Sequence, residues 1–304
     1  QEMGYDRMYH KSDYIIDEEI GLGLSDESFF RQSVPMIQNI AENHERFYGT
    51  MITLTNHTPF DEIEKYGDFP VHATRMVENE DGEMIEEEVP YMEGTRLGNY
   101  LKAVHYADNA MGQFFDDLDE AGLLEDTIIV IYGDHDARLP RRDFVRLFNY
   151  DPETDSVRTS EDPDYIPVDY YKYELLRQVP FIIWSKDDQI QMEIDKVMGM
   201  YDVLPTLGNM FGFNSPYQLG HDIFSVDENV VVFPNGNWLT DKVYYNSQRQ
   251  EYMVIDDAVV SNEYINKYIE HAEEVLDISN YIIVYDYIRR QREVDILMQD
   301  YKGT

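Results

Sequence analysis

The chain has 304 residues, 43% of them apolar and 13% aromatic, enough to bury one sizeable core and a small second one. Its 61 acidic against 24 basic residues give a formal charge of −37, which argues against a nucleic-acid partner and against adsorption to an anionic bilayer. With no cysteine, disulfides and thiolate metal sites are excluded, and no apolar run approaches the roughly 18 residues that cross a membrane.

Taken in chain order, the sequence opens at Gln1 in mid-pattern, without a signal peptide, so a membrane anchor is expected only upstream of it. Ser25 is placed to N-cap a helix, with Asp26 and Glu27 in its first turn, and the helix is expected to run to about Ala41. Phe47 to Leu54 is apolar and β-prone and predicts a buried strand, stopped by Pro59 in Thr55-Asn56-His57-Thr58-Pro59-Phe60. Residues 61–94 are acidic and predict an irregular surface excursion. Leu97, Leu101, Val104, Met111, Phe114, Phe115 and Leu118 then recur at helical spacing, with Gly122 as the C-cap. Thr127 to Tyr132 predicts a second buried strand, ending in Gly133-Asp134-His135-Asp136.

Residues 138–170 are polar and lack clear periodicity. A helix through Tyr173, Leu175 and Leu176 is expected to lead to a strand at Val179–Trp184, and another helix to run from about Asp202 to Gly212. Strands alternating with helices, each strand apolar throughout, predict an α/β fold with a mainly parallel sheet covered by helices on both faces. After about Ser225 the pattern changes. Val230–Phe233 and Lys242–Asp256, around the turn-forming Asn235-Gly236-Asn237, predict a small antiparallel sheet. A charged helical tail follows from about Asn262, interrupted by the β-prone Ile282–Tyr285.

Ligands of open α/β sheets bind beyond the carboxyl ends of strands, and two expected strands deliver polar residues there: His57, and Asp134 with His135. A carboxylate beside an imidazole is a half-site for Mn²⁺, Zn²⁺ or Mg²⁺; the alternative is turn chemistry, with Asp134 capping the next helix. Asp136 has three readings: a place in the metal shell, an orienting bond to His135, or solvent. Arg138, Arg141, Arg142 and Arg146 are concentrated just beyond, either to clamp phosphate, with Arg138 the best placed, or to pair with acids such as Asp143. His105 and Asp108 fall where packing or hydrogen bonding is expected, and Asp202 where a helix cap is expected.

Several of these segments, in order, resemble the lipoteichoic acid synthase family of the alkaline phosphatase and sulfatase superfamily. They are Gly23 to Phe30, Leu54 to Phe60, Gly94 to Asp108, Tyr132 to His135 and Phe233 to Asn237, while Asp202 to Thr206 resembles a segment shared across the wider superfamily. The resemblance implies a sulfatase-like catalytic domain over residues 1–225 and a small antiparallel subdomain with a helical tail over 226–304. It implies that Asp134 and His135 are two ligands of one catalytic ion, Mn²⁺ or Mg²⁺, and that His57 contacts a glycerol-phosphate group. Asp136 departs from the aromatic residue or glycine commoner at that place.

The family's remaining ligands, a Glu and the Thr nucleophile, match positions upstream of Gln1, so these 304 residues alone are expected to be inactive. The implied reaction moves glycerol phosphate from phosphatidylglycerol to a growing polymer through a phospho-threonine, at the outer face of a bacterial cytoplasmic membrane. The implied partners are that lipid, the glycerophosphate polymer, the membrane through upstream helices, and the chain's own upstream segment; no nucleic acid is expected. Other enzymes of the superfamily (a sulfatase, a phosphodiesterase or a phosphoethanolamine transferase) and a non-catalytic polymer-binding domain are the alternatives.

Overall fold

The structure is a computed structural model that describes residues 5–187 and 191–302, with side chains described up to residue 294. It falls into two units, Gln1–Gln191 and Met192–Thr304.

In the first unit, β1 (Glu19–Ile20) and β2 (Gly23–Leu24) form a minimal hairpin leading into α1 (Asp26–Asn43). The Ser25 hydroxyl accepts from the Ser28 amide at 3.2 Å, as its N-cap position predicts. After the hairpin β3 (Ala73–Glu78) and β4 (Met84–Val89) comes α2 (Arg96–Glu120), capped by Thr95, whose hydroxyl accepts from the Gly98 amide at 2.9 Å. Gly122, at φ +69°, closes α2, and the Leu123 amide returns to Leu118 O at 2.9 Å. α1 and α2 bury Phe30, Val34, Ala110, Phe114 and Leu118 together, with Phe30 and Phe114 stacked at 4.5 Å between ring centroids. Each such side chain contributes about 1.5–3 kcal/mol on burial, and this seam is what sets the two helices side by side.

β5 (Ile128–Tyr132) is followed by α3 (Arg141–Asn149), the short hairpin β6 (Tyr150–Asp151) and β7 (Ser156–Val157), α4 (Tyr170–Leu175) and β8 (Phe181–Ser185). β5 pairs with β8 from Ile128 opposite Ser185 to Tyr132 opposite Phe181. Ile129 and Trp184 lie against the α1–α2 core, and Trp184 meets Phe115 edge-on at 5.0 Å.

The α/β composition is as the sequence implies, and four expectations for the first unit are corrected. The β5–β8 pair is antiparallel, as is every strand pair among the described residues, because the chain between them reverses direction through α3 and α4 rather than crossing over. Residues 47–54 are irregular and Phe47, Tyr48 and Ile52 are exposed; β-prone composition makes a strand only where a second strand pairs with it, and among the described residues none does. The acidic excursion contains a hairpin of two six-residue strands, β3 and β4, turned by Asn79, whose Oδ1 accepts from the Asp81 and Glu83 amides. The stretch 138–170 contains α3.

In the second unit, α5 (Val203–Phe211) ends at Gly212, with φ +72°. β9 (Val230–Val232), β10 (Trp238–Thr240), β11 (Val243–Asn246) and β12 (Glu251–Val254) form the small antiparallel sheet, in the order β12-β11-β10-β9. α6 (Asn262–Val284), capped by Ser261, lies on it; Trp238 is fully buried between Tyr245 and Tyr268. The β-prone Ile282–Val284 stays helical, and α7 (Tyr287–Lys302) follows a break at Asp286, where φ is +49°. Asp202 stands at the N-cap position of α5, as expected, but its side chain makes no cap bond to that helix. Its carboxylate instead accepts from the amides of Gly199 and His221 and from Asn229 Nδ2, tying three segments of the unit together. The division into units falls at residue 191, whereas the change of sequence pattern falls near residue 225; α5 lies between the two.

Candidate active site

Two elements bring His57 and His135 together, and both lie in the first unit. The first is the start of α1. Buried Asp26 accepts from the amides of Leu54 at 3.0 Å and Thr55 at 3.1 Å, while its own amide donates to Thr55 Oγ1 at 2.8 Å. The first turn of the helix thereby grips the segment that leads to His57. Burial pushes the Asp26 carboxyl above the usual carboxylate range, against the opposing pull of the Leu54 and Thr55 amides. The second element is the end of β5, where Gly133 passes so near Val179 that a Cβ would lie 2.8 Å from the Val179 Cβ. Only glycine lets the strand end run there and present Asp134 and His135.

The two imidazoles meet edge to face, with ring centroids 5.5 Å apart and planes at 86°. Each uses Nδ1 in the same way. His57 Nδ1 lies 2.8 Å from Thr58 O, and His135 Nδ1 lies 2.7 Å from Asp136 O. A backbone carbonyl can only accept, so Nδ1 carries the hydrogen in the neutral ring and Nε2 is left bare. His135 Nε2 stands 3.8 Å from Asp134 Oδ1, and the Asp134 side chain is 78% exposed. Bare nitrogen and open carboxylate at this spacing are the donor types that take a divalent ion.

The residues fit such an ion as two ligands and do not close a shell: among the described residues no three His, Cys, Asp or Glu side chains converge closely enough to hold one.

The surrounding basic residues divide. Arg141 Nε donates to Val168 O, and Arg146 donates to Tyr91 O and Pro90 O, so both hold backbone. Arg142 is exposed and lies 3.7 Å from Asp143, which itself accepts from the Leu97 amide at the start of α2. Arg138 sits at φ +52°, with its amide on Asp136 Oδ2 at 2.9 Å; its guanidinium is exposed and has no hydrogen bond or ion pair among the described residues. Asp136 does not face solvent: Arg177 binds it through two nitrogens, at 3.0 and 3.1 Å, and holds its carboxyl below the usual range. Nothing in the sequence spacing singles out Arg177, which stands 41 residues away. Arg96 donates to Thr58 Oγ1 at 3.2 Å. His105 packs against Phe69 and bonds Asn109, as its helix position implies.

The sequence pattern of the sulfatase family matches residues 1–213. Among curated relatives, the chain is 27% identical to lipoteichoic acid synthase 1 of Bacillus subtilis, over 94% of this chain and 40% of that protein. It is also 27% identical to the lipoteichoic acid synthase of Staphylococcus saprophyticus, with the same coverage. The chain thus spans about two-fifths of the length of these relatives. The lipoteichoic acid synthase LtaP from Listeria monocytogenes shares the fold, with a TM-score of 0.66 at 23% identity over 92% of this chain and 64% of that one. The chain belongs to the sulfatase family, and lipoteichoic acid synthases are among the curated relatives it resembles.

Proposed function

We propose that this chain is part of an enzyme that transfers glycerol phosphate from phosphatidylglycerol to a lipoteichoic-acid-type polymer. The observation that carries the reading is the pair of imidazoles with bare Nε2 atoms beside Asp134, in a chain similar to lipoteichoic acid synthases along 94% of its length. In this reading a threonine outside these 304 residues attacks the phosphodiester. Its Oγ–P bond forms as the P–O bond to diacylglycerol breaks. The polymer's terminal hydroxyl then attacks the same phosphorus and releases the threonine.

Asp134 and His135 would hold a divalent ion, Mn²⁺ or Mg²⁺, which when bound neutralises charge on the phosphoryl oxygens. His57, with Nδ1–H fixed on Thr58 O, offers Nε2 to an attacking hydroxyl and, once protonated, returns the proton to a leaving oxygen or donates to the phosphoryl group. Arg138, whose guanidinium is uncommitted, is proposed to steer phosphate into a strongly acidic protein. The whole enzyme is proposed to work at the outer face of a bacterial cytoplasmic membrane, held by segments other than these residues. No helix among the described residues is long and apolar enough to cross a membrane.

The test incubates the longer protein with labelled phosphatidylglycerol and Mn²⁺ and follows diacylglycerol release in wild type and His135→Ala. Release that needs both Mn²⁺ and His135 supports the proposal. No release from a folded, Mn²⁺-bound enzyme moves the substrate to another ester of the superfamily, and no Mn²⁺ binding leaves a polymer-binding domain.

A further inference from the structure

A strong polar tie beside the two imidazoles takes no part in that scheme. Arg177, just past the end of α4, forks onto Asp136, with Nε to Oδ2 at 3.1 Å and Nη2 to Oδ1 at 3.0 Å, while its Nη1 reaches Glu174 Oε1 at 2.8 Å. A fork of this kind fixes the plane of a carboxylate as well as its position. The same carboxylate accepts from the Arg138 amide at 2.9 Å, so Asp136 is held from two sides. Its backbone carbonyl is the group that accepts from His135 Nδ1. Thr58, which holds His57 by the same carbonyl bond, has among the described residues one hydrogen bond on its side chain, from Arg96 at 3.2 Å.

We infer that Arg177 is a positioning residue. Through Asp136 it keeps His135 in the tautomer with Nδ1 protonated and Nε2 bare beside Asp134, ready for a divalent cation. Release of Asp136 lets its carbonyl swing away from Nδ1. The freed ring then populates the form with hydrogen on Nε2, and a nitrogen that carries hydrogen cannot ligate. What Nε2 binds rests on the proposed function; the tautomer itself does not.

The test is ¹⁵N NMR of the histidine side chains in the metal-free chain, at a pH where imidazole is neutral, for wild type and Arg177→Ala. The expected result is a several-fold rise in the Nε2–H fraction of His135, with His57 unchanged as an internal reference. Arg177→Lys, which keeps the charge and loses the fork, is expected to fall between. An unchanged His135 in a folded variant overturns the inference, and so does an equal shift of both histidines, which would mean general loosening. If Arg177→Ala does not fold, Asp136→Asn, which keeps the carbonyl and the side-chain volume, carries the same expectation. Titration with Mn²⁺ alone separates the two readings. Binding about tenfold weaker in Arg177→Ala supports both. A tautomer shift with no change in Mn²⁺ binding overturns the ligand assignment and leaves the positioning role standing.

Discussion

Asp26 shows how one side chain can join two elements. It accepts from two amides of the segment ahead of His57, so Asp26→Ala strands buried donors and should cost about 2–4 kcal/mol in urea unfolding. The pH dependence follows from burial. The folded carboxyl titrates above its unfolded value, so the folded chain holds the proton more tightly. That contribution to stability is complete below the unfolded pKa and is lost as pH rises through the folded one. Compared at about pH 4 and about pH 7, Asp26→Asn should therefore gain on the wild type at the higher pH. In the sequence Asp26 reads only as a first-turn acid, since its partners lie 28 and 29 residues away. His57, Asp134 and His135 were legible because motifs mark them. Arg177 and the commitments of Arg141 and Arg146 to backbone carbonyls were not, because local spacing says nothing about a partner 27 to 56 residues off.

At the scale of elements, the strand end carrying Asp134 depends on the contact between Gly133 and Val179. Gly133→Ala should destabilise the chain by about 1–3 kcal/mol, because the new Cβ would lie 2.8 Å from Val179 Cβ and 2.9 Å from its Cγ1, and only the Cγ1 contact can be relieved by trimming the side chain. Val179→Ala in that background should recover part of the loss, and a double-mutant cycle on thermal melts reads the coupling directly. α1 and α2 stand where the sequence places them, and α6 starts where expected but runs on through Ile282–Val284. The hairpin β3–β4 escaped notice because β4 carries Glu86, Glu87 and Glu88 in a row, which masks any alternation of period two. The opposite error at 47–54 has the same root: pairing belongs to two segments and composition to one.

For the whole molecule, the charge of −37 is a source of self-repulsion in the folded state. Raising salt from about 10 mM to about 150 mM shortens the screening length from about 30 Å to about 8 Å, so the melting temperature should rise with NaCl. A fall on adding NaCl would show that paired surface ions such as Lys186 with Asp119 and Glu125 outweigh the repulsion. Each unit has its own apolar core, and the chain's two tryptophans are shared one to each. Trp184 stands half-buried against Phe115, and Trp238 is sealed between Tyr245 of the small sheet and Tyr268 of α6. The molecule thus carries a built-in optical label for either half. In Trp238→Phe, emission reports residues 1–191 alone, and in Trp184→Phe it reports 192–304. A lower midpoint for Trp184 than for Trp238 along one denaturant gradient would mean that the site-bearing half can loosen while the tail half stays intact, and the reverse order would mean the opposite.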